Sequence, residues 1–144
     1  MNDAKRFSLV KPTLDTPFQI DFDWWKQHDN NWRIFLYSYL CHEHQAAFSD
    51  TGQEVRVDWV DPESAEVRTV DGLQHILMAH CARQPDFVTS NTALVDSVFR
   101  VLLANGNDPM TPVQLGNAIH RPADTILRTL SGMQVYKGIR PRYG

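Results

Sequence analysis

Both cysteines of this 144-residue chain lie in a single stretch, residues 41–81, together with four of its six histidines. The stretch opens with a Cys-x-x-His pattern and closes with a His-Cys pair. Zinc prefers four ligands in a tetrahedron, drawn mainly from thiolate and neutral imidazole. The two ends therefore predict a structural zinc site that would tie two distant segments together, with the ligands Cys41, His44, His80 and Cys81.

The adjacency of His80 and Cys81 sets a condition on this prediction. On a continuous helix the two side chains diverge by about 100°, so both reach one ion only if the helix loosens there. Pro85 follows closely and favours a frayed helix end. If the helix continues, Cys81 is the better ligand, and the fourth position goes to His42, His75, a carboxylate or water.

Other interpretations of the two cysteines stay open at this point. They are separate buried thiols, a disulfide, or a catalytic thiol at Cys41. Since no local signature and no orienting third group accompany Cys41, we do not expect an enzyme. The polar N-terminus leads into no apolar signal core and no apolar run reaches membrane-spanning length, so the sequence predicts a cytoplasmic protein without a membrane partner.

Hydrophobic periodicity predicts a small strand, helix, hairpin and helix module in the first 90 residues. The adjacent Trp24 and Trp25 are expected to anchor its core, with a ligand-stacking pair as the alternative. Cys41 and His44 would share one helical face. The predicted elements are a strand at 18–23, a helix at 31–48, hairpin strands at 55–60 and 65–70 around a turn at 61–64, and a helix at 72–84.

The last third of the chain predicts three further helices and a strand. An apolar face begins after Thr92 and ends at the Asn-Gly-Asn-Asp-Pro run at 105–109. Thr111 followed by proline, with Gln114 three residues after the threonine, is a strong helix start. A third helix is predicted at 122–131, and residues 134–139 have the pattern of a short strand.

Residues 111–130, TPVQLGNAIHRPADTILRTL, resemble the helix-turn-helix of winged-helix DNA-binding domains. With the preceding helix the resemblance covers about residues 92–140. It implies that the helix at 122–131 is the recognition helix, with Asp124 among its outward residues, although only one strand of the family's wing is present. The implied DNA contacts are Arg121, Thr125, Arg128, Thr129, Lys137, Arg140 and Arg142.

The formal charge also differs between the N-terminal and the C-terminal part of the chain. Residues 1–87 carry a formal charge of −6 and residues 88–144 a charge of +3. Such asymmetry indicates nucleic-acid contact at the basic end. The sequence thus predicts an α+β protein, with a zinc-stabilised module at 1–90 and a truncated winged helix at 91–144. Its expected function is transcription regulation through double-stranded DNA, with a homodimer as partner; the alternative is a winged helix that binds protein and not DNA.

Overall fold

The computed structural model describes residues 11–47, 56–60, 67–89 and 92–143. The helices are α1 (Phe22–His28), α2 (Trp32–Ser38), α3 (His42–Ala47), α4 (Gly72–Ala79), α5 (Leu94–Ala104), α6 (Pro112–Ile119) and α7 (Ala123–Leu130), with a 3-10 turn at Cys81–Arg83. The strands are β1 (Phe18–Ile20), β2 (Arg56–Val60), β3 (Val67–Asp71) and β4 (Ile139–Pro141), which form two separate antiparallel pairs. This mostly helical mixture agrees with the predicted α+β class.

The chain divides into two compact units, which we call the central unit (Lys26–Phe87) and the terminal unit (Met1–Trp25 with Val88–Gly144). The boundary predicted near residue 90 assigned residues 18–25 to the N-terminal module. In the structure they group with the C-terminal part, because β1 pairs with β4 from Phe18 opposite Pro141 to Ile20 opposite Ile139.

In the terminal unit, strand β1 lies between Met110 and strand β4. The backbone N–H of Phe18 donates to the oxygen of Met110 over 2.8 Å, and that of Met110 donates back over 2.9 Å. On its other edge β1 pairs with β4. The strand at 134–139 was therefore predicted too early: Lys137 and Gly138 adopt positive φ angles of 50° and 75° in a turn, and the strand follows it.

The strand predicted at 18–23 ends at Ile20, because helix α1 begins two residues later. Asp21 accepts a hydrogen bond from the backbone N–H of Trp24 over 3.0 Å, which caps the start of α1. The cap turns Trp25 into the core, where its ring meets that of Phe99 edge-on at 5.5 Å between centroids. Gly138 packs against it so closely that a Cβ there would lie 2.7 Å from Trp25 Cβ.

Helices α5, α6 and α7 complete the terminal unit: α5 packs against β1 and α6, and α6 packs against α7. Thr111 caps α6 in the predicted capping box: its Oγ1 accepts from Gln114 N over 3.2 Å, and its own N–H donates to Gln114 Oε1 over 2.9 Å. His120 ends α6 at a φ of 58°, and α7 begins three residues later. Apart from Trp25, the buried apolar side chains in the described part of this unit are Phe18, Ile20, Val98, Phe99, Val101, Leu102, Leu103, Leu115, Ile119, Ile126, Leu130 and Ile139.

The central unit contains the β2–β3 ladder and helices α2 to α4. The ladder confirms the hairpin strands, with Arg56 opposite Asp71 and Val60 opposite Val67, while the turn predicted at 61–64 lies outside the described residues. The continuous helix predicted at 31–48 is wrong, because the chain tightens into a turn between α2 and α3. The unit's buried apolar side chains, as far as the structure describes them, are Leu36, Tyr39, Leu40, Leu73, Leu77, Cys81, Ala82 and Phe87.

Candidate metal centre

Cys41 and His44 are brought together by the start of α3. Cys41 lies immediately before the helix, and its carbonyl oxygen accepts the first helical hydrogen bond, from Gln45 N over 2.8 Å. His44 lies in the first turn of that helix. This places Cys41 Sγ 3.2 Å from His44 Nδ1. The break between α2 and α3 thus preserves the predicted pairing of these two residues, although they do not share a continuous helix.

His80 and Cys81 reach the same point because helix α4 stops before them. The last α-helical residue is Ala79, and His80 has φ and ψ of −129° and −62°, outside the helical range. Cys81 then opens the 3-10 turn. Two adjacent residues can both reach one ion only if the helix loosens between or before them, and here the helix ends before His80.

The four side chains converge on one point. Cys41 Sγ lies 3.5 Å from Cys81 Sγ and 3.8 Å from His80 Nδ1. Cys81 Sγ lies 3.4 Å from His44 Nδ1, and all four ligand atoms are within 4.8 Å of one another. A tetrahedral zinc ion with bonds of about 2.3 Å to sulfur and 2.0 Å to nitrogen separates its ligands by roughly 3.3–3.8 Å. The four distances given above between a sulfur and another ligand atom, 3.2–3.8 Å, are close to those of ligands around one such ion.

The same distances exclude a disulfide in this structure. A disulfide joins two sulfurs about 2 Å apart, whereas Cys41 and Cys81 are free thiols 3.5 Å apart. Burial raises the pKa of the Cys81 thiol to about 11, and the neighbouring Cys41 side chain adds to that rise. A thiol with such a pKa is a poor nucleophile at neutral pH. A divalent cation shared by two thiolates and two neutral imidazoles would balance the charge of the site.

The alternative ligands do not join the cluster. His42 is exposed on α3, and His75 lies on α4 away from the group; within the parts of the chain that the structure describes, only Cys41, His44, His80 and Cys81 form a set able to share an ion. No pattern in the sequence singles out Gln84. Its side-chain nitrogen lies 3.5 Å from His80 Nε2, on the side of the ring that faces away from the sulfurs.

The residues predicted to read DNA bases lie on α7 in the terminal unit. Thr125 and Arg128 are exposed, as is Asp124 in the first turn. Thr129 is half-buried, and its hydroxyl donates to the carbonyl oxygen of Thr125 over 2.9 Å. The hydroxyl proton of Thr129 is therefore committed to its own helix, and this side chain is left as a hydrogen-bond acceptor.

The other predicted DNA contacts have partners inside the terminal unit. Lys137 lies 3.7 Å from Asp96, and burial lowers its pKa. Arg140 donates to the carboxylate of Asp21 over 3.1 Å. Arg121 donates to the carbonyl of Thr92 over 3.1 Å, and Arg142 to the side chain of Gln19 over 2.6 Å. Each guanidinium has five N–H donors, so these bonds leave donors for another partner, whereas the Lys137 ammonium is half-buried beside Asp96.

A groove of about 610 Å³ runs beside α7. It is bordered by two basic side chains, Lys11 and Arg128, and by one acidic side chain, Asp124. Pro12, Leu127 and Ser131 complete its lining. The sequence pattern did not connect Lys11 with α7, because no local signal links residues more than a hundred positions apart.

No protein-family model, curated protein sequence or solved structure matches this chain. In the described ranges, no helix is both long enough and apolar enough to cross a bilayer. Functional inference therefore depends on the residues themselves.

Proposed function

We propose that the central unit binds one structural zinc ion through Cys41, His44, His80 and Cys81. The observation that carries this proposal is the convergence of four ligand atoms within 4.8 Å of one another, from two segments forty residues apart. Burial of cysteine and histidine for packing alone does not require two sulfurs and two Nδ1 atoms to converge on one point. The separation of the two sulfurs, 3.5 Å, is close to the value of about 3.8 Å for tetrahedral zinc.

The ligand set also favours a structural over a catalytic role. Four protein ligands close the coordination sphere of zinc, whereas catalytic sites keep one position for water or substrate. Two thiolates with two imidazoles suit zinc better than hard cations such as magnesium and calcium, which prefer oxygen ligands. The ion would connect the start of α3 to the segment after α4. It would thereby stabilise a unit whose apolar core is small.

Cobalt(II) substitution tests the coordination. We expect one equivalent of Co²⁺ to give the strong visible absorption of a tetrahedral ion and a thiolate-to-cobalt charge-transfer band, since the site offers two sulfurs. Zinc should displace the cobalt and remove both bands. The matched control is His42→Gln, a change of an exposed histidine next to the site, which should leave the spectrum unchanged. Weak absorption typical of octahedral cobalt would contradict the four-ligand site.

We further propose that the terminal unit binds double-stranded DNA as part of a transcription regulator. The resemblance of residues 111–130 to winged-helix domains supports this, and so does the order of three helices followed by a strand. One observation adds to it: β1 pairs with β4 and is bridged at Phe18 by Met110, so one strand from elsewhere in the chain accompanies the strand that follows the three helices. By sequence, the terminal unit has nine basic and seven acidic residues, a formal charge of +2, against −5 for the central unit.

In this proposal α7 enters the major groove and its basic flank contacts the backbone. Arg128 and Thr125 are exposed and able to reach base edges, with Thr129 available as an acceptor. Lys11, which lines the same groove as Arg128, would contact a phosphate. Arg121, Arg140 and Arg142 have spare donors for further phosphates. Asp124 favours the positive end of the helix dipole and opposes close phosphate approach at the start of α7.

Binding to a set of labelled duplexes of different sequence, at low and increasing salt, tests the proposal. We expect Lys11→Ala to weaken binding uniformly across sequences and to lower the salt slope by about 1, as for the loss of one phosphate contact. Arg128→Ala should weaken binding and relax sequence preference. Arg100→Ala is the control, because it removes the same charge from a residue paired with Asp96 at 2.9 Å. If the wild type does not bind DNA at low salt, the alternative stands: a module that contacts protein.

A further inference from the structure

Gln84 is the polar side chain that faces the outer nitrogen of His80. Its amide nitrogen lies 3.5 Å from His80 Nε2 and donates to the carbonyl oxygen of His80 over 3.3 Å. Gln84 also ends the 3-10 turn, since its backbone N–H donates to the oxygen of Cys81 over 3.3 Å. The turn that presents Cys81 to the cluster thus also holds the Gln84 side chain against the imidazole.

The nitrogen that carries the proton of the His80 ring determines whether the ring donates a hydrogen bond to Gln84 or accepts one from it. His80 directs Nδ1 toward the sulfurs, at 3.8 Å from Cys41 Sγ. A neutral imidazole that gives its Nδ1 lone pair to a metal carries its proton on Nε2. That N–H then needs an acceptor, and histidines that bind metals almost always have one, such as a carboxylate, a carbonyl or water.

The side-chain amide of Gln84 offers either a donor or an acceptor at this place. Its nitrogen and oxygen are interchanged by a half-turn of the amide group. With the nitrogen toward His80, the amide suits a ring whose Nε2 is an acceptor. With the oxygen toward His80, it suits the ring with a proton on Nε2, which is the form that a metal at Nδ1 requires.

We propose that Gln84 is a positioning residue for the metal centre, which accepts a hydrogen bond from His80 Nε2–H when zinc is bound at Nδ1. This inference rests on the proposed zinc site and assigns a function to a residue outside the four ligands. In the bound form the amide has its oxygen toward the ring and gives up the hydrogen bond that its nitrogen donates to the carbonyl oxygen of His80. The hydrogen bond fixes the ring orientation and increases the basicity of the ligand nitrogen.

Zinc affinity of the full chain, measured by competition with a chromophoric chelator, tests this role. We expect Gln84→Leu to lower the affinity about tenfold, the lower end of the range for lost partners of metal-bound histidines. Gln84→Glu should bind at least as tightly as the wild type, because a carboxylate is an acceptor in every orientation. Gln27→Leu is the matched control, since it makes the same change at an exposed position of the central unit, and it should have no effect.

Nitrogen NMR of the zinc-loaded wild type and of zinc-loaded Gln84→Leu gives a second measurement. The chemical shift of His80 Nε2 should differ between them, because the variant lacks the acceptor of its N–H, whereas a purely structural role would leave that shift unchanged. The His80 ring should show a protonated Nε2 and a metal-bound Nδ1. Equal affinity of Gln84→Leu and the wild type would overturn the inference, as would an equal loss in Gln84→Leu and Gln84→Glu, since the amide would then act only through packing. A wild type that binds no zinc would instead overturn the proposed metal site itself, so the two failures are distinguishable.

Discussion

Replacement of Cys41 or Cys81 by serine is expected to remove the zinc ion and to unfold the central unit. A structural zinc ion supplies on the order of 10 kcal/mol in small zinc modules at neutral pH, while a whole domain is stable by only about 5–15 kcal/mol. This unit has 62 residues and a small buried apolar set within its described part. Without the ion, that core is too small to hold α3 and the segment after α4 together.

Amide hydrogen exchange in each variant measures this loss locally. Protection in α2 to α4 should fall to the level of an unfolded chain in Cys41→Ser and Cys81→Ser, while protection in α5 to α7 should persist. His44→Gln should behave as the cysteine variants do. The matched control is His42→Gln, because this neighbouring histidine is exposed and outside the cluster. Unchanged protection in the cysteine variants would show that the four residues do not bind a stabilising ion.

Trp25→Ala is expected to be the most damaging single change in the terminal unit. Trp25 is 1% exposed and packs edge-on against Phe99. Truncation of a buried tryptophan costs about 3–5 kcal/mol through lost burial and the cavity left behind. For a chain of this length that cost lowers the melting temperature by roughly 10 °C. Thermal and denaturant unfolding followed through the α5–α7 region measure both quantities.

Trp24→Ala is the control for this prediction, because it removes the same side chain one residue earlier. Trp24 is only half-buried, and the guanidinium of Arg140 lies 5.1 Å from its ring centre. A partly exposed cation–π contact contributes about 0.5–1 kcal/mol, so the loss should be several times smaller than for Trp25→Ala. Similar losses for the two variants would contradict the assignment of Trp25 to the core and Trp24 to its edge.

The adjacent tryptophans also show what local sequence patterns do not predict. Both were expected in the core, yet only Trp25 is fully buried. The alternation from Phe18 onward predicted a longer strand. Asp21 favours a helix instead, because its carboxylate accepts a hydrogen bond from the backbone N–H of Trp24, three residues later. Where strand alternation and a helix cap overlap, the periodicity alone does not decide which of them continues.

Long-range pairing was beyond the sequence patterns altogether. β1 pairs with β4 across almost the whole chain, as in the pairing of Gln19 with Arg140. Neither segment has a local feature that identifies its partner. The domain boundary predicted near residue 90 therefore assigned β1 and β4 to different modules. By contrast, α6 was predicted well because the Thr-Pro start and the capping box at Thr111 and Gln114 are local interactions.

The candidate metal ligands were predictable as residue types and not as geometry. Cysteine and histidine spacing selected Cys41, His44, His80 and Cys81, and the structure brings all four together. The backbone that allows it was not evident: α2 and α3 are separated without a glycine or proline between them, and α4 ends at Ala79, well before Pro85. Gln84 was missed because its relevance depends on which nitrogen of His80 faces the sulfurs.

Zinc content is the most direct test of the central claim, that Cys41, His44, His80 and Cys81 hold one structural ion. The full chain should be purified without metal-affinity steps and analysed for metals together with its protein concentration. We predict one zinc per chain in the wild type and in His42→Gln, and none in Cys41→Ser. A wild-type protein that is folded throughout the central unit and contains no zinc, and that takes up none when it is supplied, would contradict the proposed site.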